Sequence, residues 1–338
     1  MHLPFFMSRL KRIALLSTGG TIASIPGQDG RAIAGALPGE QLLERTELEG
    51  RFDMRVESVF QRASNAIGPD EWHALALKCQ ALMAAGDTDG IVITHGTDTL
   101  EDTAYYLHCV LDTSRVAVVV TGSQRVPHAL GSDAYANLRQ AIELAGSERA
   151  RGLGVLVSFN QSVFSAGFVR KVSSYQLNGF DAPGLGPLGM LDNGCFHLLQ
   201  RPLQQQLLLT RDALPRVDIL PVYGGAHVDM ATAVLNSGPR AVVIDGLGRG
   251  QVPPQWVRPI AEAIEGGMVV AVCTSTLHGP THQSYEYPGT LFELENAGAF
   301  GVSHLSARKA RIRLSLSLAA GIYDIASLRA VFDWQSAV

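Results

Sequence analysis

Charge is scarce in this sequence. Asp, Glu, Lys and Arg make up 17% of its 338 residues, and 27 basic side chains are nearly cancelled by 31 acidic ones. A weakly negative chain lacks the basic excess that nucleic acid or an anionic membrane surface asks of a partner, so neither is expected. Cysteine is sparse as well. Cys79, Cys109, Cys195 and Cys273 stand far apart with no Cys-x-x-Cys pair or zinc-ligand spacing, which argues against a disulfide scaffold or a zinc site. Each lies in or beside an apolar stretch and is expected to be a buried free thiol. No apolar run approaches the roughly 20 residues that span a bilayer. At the N-terminus Leu3, Phe5 and Phe6 precede Arg9, Lys11 and Arg12, the reverse of a secretory signal, so the expected location is the cytoplasm.

What the chain does have is apolar residues, at 46%, and 35 glycines, the composition of a globular protein with many tight turns. Its length predicts two domains. The organising stretch is Ile13 to Ser24, where a buried strand (Ile13, Ala14, Leu15, Leu16) runs into Ser17-Thr-Gly-Gly-Thr21. Adjacent glycines let the backbone turn tightly and approach a ligand closely. This turn lacks the Gly-x-Gly-x-x-Gly spacing of a dinucleotide site, and Pro26 and Gly27 follow it in place of a helix. The unit recurs as Gly90-Ile-Val-Ile-Thr-His95-Gly-Thr97-Asp98-Thr99 and as Val116-Ala-Val-Val-Val-Thr-Gly122-Ser-Gln-Arg125. Three strand–turn–helix passes predict an α/β protein: a large N-terminal doubly wound domain with a mainly parallel sheet, and a smaller C-terminal α/β domain. The boundaries are placed at 1–199 and 216–338, with 200–215 as linker. Residues 25–39 and 163–191 read as loops, the first able to act as a lid. Thr99 and Asp102 have the spacing of a helix-capping pair.

Strand ends in such sheets are where ligands bind, and hydroxyls gather there: Thr21, Ser64 beside Asn65, and Thr97 beside Asp98. A threonine in a turn is by itself a cap or turn former. As a nucleophile it needs a base or cation at hand, a part a lysine shielded from water can play. Lys171, on the second long loop, is the candidate, with Asp98 to hold it or to bind a substrate ammonium. His95 reads as a hydrogen-bonded structural group. Arg125, Asp133 and Asn137 read as holding a loop and a helix start.

Ser17-Thr-Gly-Gly-Thr-Ile-Ala23 and Ile93-Thr-His-Gly-Thr-Asp-Thr-Leu-Glu-Asp-Thr-Ala104 resemble the two signature motifs of the bacterial-type L-asparaginases. The similarity runs on through Gly122-x-x-Arg125, Ser132-Asp133 with Asn137, the Lys171 segment and Lys309-Ala-Arg, nearly the whole chain. The resemblance implies a hydrolase that converts L-asparagine, and in some members L-glutamine, to the acid and ammonia without metal or cofactor. It implies Thr21 as primary nucleophile and Thr97, Lys171 and Asp98 as a second catalytic group. Ser64 and Asn65 match substrate-binding positions, with Thr97 and Asp98 sharing that role. It further implies a homotetramer or homodimer, with Arg249 and Glu286 at positions that reach a neighbouring subunit's site. The chain departs from the family in one place. Residues 25–41 contain no tyrosine where relatives supply one to the nucleophile, leaving Tyr175 or Tyr285 as stand-ins. The alternatives are a glutaminase-asparaginase and a catalytically silent amino-acid sensor on the same fold.

Overall fold

The computed structural model describes residues 9–27, 29, 31–203, 206–209 and 213–333. The chain divides into two compact units, Met1–Pro202 and Leu203–Val338. The first contains, in chain order, β1 (Lys11–Gly19), β2 (Ile25–Pro26), β3 (Ala32–Ile33), α1 (Gly39–Glu44), β4 (Phe52–Arg62), α2 (Pro69–Ala85), β5 (Gly90–Thr94) and α3 (Leu100–Val110). It continues with β6 (Ala117–Thr121), α4 (Ala134–Ala145), β7 (Val155–Phe159), β8 (Ser162–Ser165), β9 (Arg170–Lys171), β10 (Phe180–Asp181), β11 (Gly189–Asp192) and β12 (Cys195–Leu198).

Eight of these strands form one sheet in the order β12-β11-β8-β7-β6-β5-β1-β4. The half from β4 to β7 is parallel and the rest antiparallel. The parallel strands are apolar on both faces because helices cover both. Ile13, Leu15, Val92 and Val119 pack with Leu138, Ala141 and Ile142 of α4, while the residues between them, such as Leu16, Ile93 and Val120, are equally buried on the other face. From β1 the chain steps to β4 on one side, then returns to β5 on the other. The order reverses at β1 and β5, and such a reversal opens a crevice beyond the carboxyl ends of the two strands.

The second unit contains β13 (Val217–Pro221), α5 (Val228–Asn236), β14 (Ala241–Gly246), α6 (Val257–Glu265), β15 (Val269–Thr274), α7 (Leu291–Asn296), β16 (Phe300–Gly301), α8 (Ala307–Ala319) and α9 (Ile325–Phe332). Its four strands pair in parallel in sequence order. Their core includes Leu220, Ile244, Val270 and Trp256.

Some local expectations are corrected. Residues 163–191 are not a plain loop: β8 and β11 extend the large sheet, and β9 pairs with β10 as a separate ribbon. Strands of two to four residues are too short to show a period. Residues 25–39 likewise hold a small hairpin, Ile25 opposite Ile33 and Pro26 opposite Ala32, with Leu37 N–H donating to Ala23 O at 2.9 Å. Cys195 is exposed while the other three thiols are buried. It opens β12, where alternation turns Phe196 inward and Cys195 outward.

Candidate active site

Three turns meet at the carboxyl ends of β1, β4 and β5, and they meet through main chain. Gly19 and Gly20 leave β1 at φ +98° and +80°, a region L side chains rarely adopt. A Cβ built on Gly20 would stand 2.3 Å from the Cα and N of Gly96, and one on Gly96 would stand 2.8 Å from Ser64 Cβ. A Cβ on Gly19 would lie 2.5 Å from Arg62 O, the oxygen that accepts the Gly20 N–H at 3.0 Å. No residue but glycine fits these places. A register shift between β1 and β4 just before the turn, where Gly19 faces Arg62, turns the strand ends toward each other.

The candidate residues stand on this frame. Thr21, half-buried, begins a single 3-10 turn, Thr21–Ala23, right after β1. Among the described residues its hydroxyl has no hydrogen-bond partner. Ser64, buried, begins a similar turn after β4, with Asn65 exposed beside it. Thr97 is buried and Asp98 exposed between β5 and α3. Thr99 occupies the N-cap position of α3 but makes no cap bond. Its hydroxyl instead donates to Ser64 O at 2.6 Å, which corrects the capping expectation and ties the second motif to the Ser64 turn.

Lys171 comes to Thr97 and Asp98 from 74 and 73 residues away. Its Nζ donates to Thr97 Oγ1 at 2.8 Å and to Asp98 Oδ1 at 2.6 Å. The lysine side chain is 15% exposed and that of Asp98 is 72% exposed. The ammonium is thus largely shielded while the carboxylate is exposed. Thr97 Oγ1 also lies 3.5 Å from Gln124 Oε1, and Gln124 Nε2 donates to Ser173 O at 3.1 Å.

His95 is fully buried, with Nδ1 2.8 Å from Gly96 O and Nε2 2.9 Å from Thr103 Oγ1. Burial lowers its pKa from 6.5 to about 4 against the opposing pull of the Gly96 carbonyl, so the ring is a neutral brace for the turn. Asp133 accepts from the backbone N–H groups of Gln124 and Arg125, both at 3.0 Å, and Asn137 donates to Gly122 O at 2.9 Å. The Arg125 guanidinium closes the following loop on Leu130 O and Gly131 O. These residues hold the turn after β6.

Tyr175 is 73% exposed. Tyr285 belongs to the second unit, where it packs against Tyr287 with ring centroids 5.5 Å apart. Arg249 and Glu286 are in the second unit as well, and the Arg249 N–H donates to Gln251 Oε1 at 2.7 Å.

Sequence reasoning passed over Glu101 and Gln124. Glu101 is 2% exposed on a helix buried along its whole length, and its Oε2 accepts the Lys171 backbone N–H at 2.7 Å. A charge among Leu100, Ala104 and Leu107 was the available signal, because buried carboxylates are kept only where they are bonded.

Known proteins resemble this chain over nearly its whole length. Residues 12–204 match the family described as "Asparaginase, N-terminal", and residues 216–332 match the "Glutaminase/Asparaginase C-terminal domain". The chain is 38% identical over 317 residues to an L-asparaginase of Bacillus licheniformis, covering 93% of this chain and 98% of that one. It is 33% identical over 272 residues to a glutaminase-asparaginase of Pseudomonas aeruginosa, covering 78% and 75%. The crystal structure of a probable cytoplasmic L-asparaginase from Campylobacter jejuni superposes with a TM-score of 0.85 at 28% identity, over 95% of this chain and 99% of that one.

Proposed function

The chain belongs to the asparaginase family, and we propose that it hydrolyses the side-chain amide of L-asparagine to L-aspartate and ammonia through a threonine nucleophile. The observation that carries the reading is Lys171 Nζ within hydrogen-bond reach of both Thr97 Oγ1 and Asp98 Oδ1, beside the turns that carry Thr21 and Ser64. A hydroxyl, a lysine nitrogen and a carboxylate in series form a proton-handling chain: the neutral amine takes the hydroxyl proton, and the carboxylate steadies the ammonium formed, the charge state in which Nζ donates to both neighbours. The Asp98 carboxylate, open on its solvent side, is the natural partner of a substrate α-ammonium, and the Ser64 turn receives the α-carboxylate.

In this reading Thr21 Oγ attacks the amide carbon. The C–O bond forms as the C–N bond breaks, the hydroxyl proton goes to the departing nitrogen, and ammonia leaves an acyl-threonine behind. Water, deprotonated through Thr97 and Lys171, then attacks the ester carbon, and the proton returns to the Thr21 oxygen as it leaves, giving aspartate and free Thr21. The working location is the cytoplasm and the working form a homodimer or homotetramer, the latter read directly by sedimentation of the purified chain. The Pseudomonas relative supports a second activity on L-glutamine.

Ammonia release from L-asparagine and L-glutamine by wild type, Thr21→Ala and Thr97→Val tests the proposal. Turnover of asparagine is expected in wild type and a loss of at least about a hundredfold in each variant. Hydroxylamine should trap the acyl group as the hydroxamate. Binding of aspartate without turnover of either amide would instead make the protein a sensor.

A further inference from the structure

Lys171 reaches the site from a ribbon that is not part of the large sheet. β9 and β10 pair over two residues, Phe180 with Lys171 and Asp181 with Arg170. Two residues of ladder do not fix a strand's position as an extended register does. Side chains from the elements that form the site supply the rest. The Lys171 N–H donates to Glu101 Oε2 at 2.7 Å, and two residues on the Ser173 carbonyl accepts from Gln124 at 3.1 Å.

Glu101 lies in the first turn of α3, three residues after Asp98 and four after Thr97. A single turn of chain therefore grips one lysine at both ends: Thr97 and Asp98 hold the ammonium and Glu101 holds the backbone. A carboxylate 2% exposed costs stability unless charge-assisted hydrogen bonds and a helix N-terminus offset the loss of water. Glu101 stands at such an N-terminus, and the Lys171 amide is one of its donors.

We propose that Glu101 is a positioning residue for Lys171, setting the distance of Nζ from Thr97 Oγ1 without touching substrate. The proposal rests on Lys171 belonging to the catalytic group. The seam between α3 and β9 is then part of the machinery, and displacement there acts on the rate more than on substrate binding.

The test compares wild type, Glu101→Gln, Glu101→Ala, Lys171→Ala and the double variant Glu101→Ala/Lys171→Ala, reading kcat and KM on asparagine and amide hydrogen exchange over residues 169–174. Glu101→Ala is expected to lower kcat by about ten- to a hundredfold, the scale of an ångström of misplacement. KM should move less than about threefold. The Lys171 amide should exchange faster, and Glu101→Gln, which keeps an acceptor oxygen, should restore kcat to within about threefold of wild type. In the Lys171→Ala background Glu101→Ala should take nothing further, since its effect runs through that lysine. The proposal is overturned by an unchanged kcat in Glu101→Ala, by an equal loss with and without Lys171, or by failure of glutamine to rescue. Should Glu101→Ala not fold, Glu101→Asp shortens the acceptor by one methylene and carries the same comparison. A wild type inert on both amides would sink the functional reading alone. Hydrogen exchange still decides on Glu101, and unchanged exchange at Lys171 would refute the grip.

Discussion

Replacing His95 by Gln should flatten the acid limb of the first unit's stability curve. The ring is fully buried, and its neutral form satisfies both neighbours, Nδ1–H donating to Gly96 O and Nε2 accepting from Thr103. An imidazolium would aim a second N–H at the Thr103 hydroxyl with no water to solvate the charge. The folded pKa of about 4 lies below the ordinary value of 6.5, so between these values the unfolded chain takes a proton that the native state refuses. Stability is therefore lost as pH falls from about 6.5 to about 4, and is level in this respect on either side. The gap between 6.5 and about 4 is worth about 3 kcal/mol in full, most of which falls between pH 7 and 4.5. Glutamine keeps a donor and an acceptor and does not titrate. Urea unfolding followed by Trp72 fluorescence, in a background where Trp256 and Trp334 are Phe, reports on the unit that contains His95. Groups such as Asp89 titrate in both proteins and cancel in the difference. Parallel stability curves for the two proteins from pH 7 to 4.5 would refute the neutral, proton-refusing histidine.

Gly20→Ala should cost about 4 kcal/mol or more and yield little soluble protein, since the new Cβ would stand 2.3 Å from Gly96 backbone at a φ of +80°. Soluble yield and melting temperature read it. Thr97→Val, which keeps the shape and drops the hydroxyl, should lower kcat by about 10²- to 10⁴-fold with little change in melting temperature, whereas Thr97→Ser keeps most of the rate. At Asp89, burial pushes the carboxyl pKa up, but the Arg12 N–H at 2.8 Å and the Arg9 guanidinium at 2.7 Å outweigh it and hold the value below the ordinary one. Asp89→Ala should therefore destabilise by about 1–3 kcal/mol at pH 7. The gap to wild type should narrow as pH falls through the carboxylate range, because the lowered folded pKa stabilises only above it.

The parallel half of the fold was readable because its strands are apolar runs that end in glycine- and hydroxyl-rich turns, as at Leu15-Leu16 and Ile91 to Thr94. The antiparallel half was not, because β8, β11 and β12 are shorter than any window in which a period can be seen. At the site, local sequence placed Thr21, Ser64 and Thr97 at strand ends. The Lys171 contact spans more than 70 residues; a threonine's need for a cation made Lys171 a candidate, and only the family resemblance singled it out. Thr99 misled because a hydroxyl before a helix has two outlets, its own N3 amide or a neighbouring carbonyl. Tertiary contact with Ser64 chose the second. Glu101 and Gln124 were hidden for a related reason, since each acts on backbone of the Lys171 ribbon and such contacts leave no spacing in the sequence.

The joining of the three turns through Gly19, Gly20 and Gly96 divides the site's positions by how much change they tolerate. Because the frame closes through the glycines, with His95 and Thr99 bracing it and Gln124 holding the Lys171 ribbon, the exposed Asn65 can be exchanged to retune which amide is accepted while the threonines stay where they are. The glycines allow no such drift, since each carries a contact that only an absent side chain can make. A search for altered substrate preference should randomise Asn65 and leave the glycines alone.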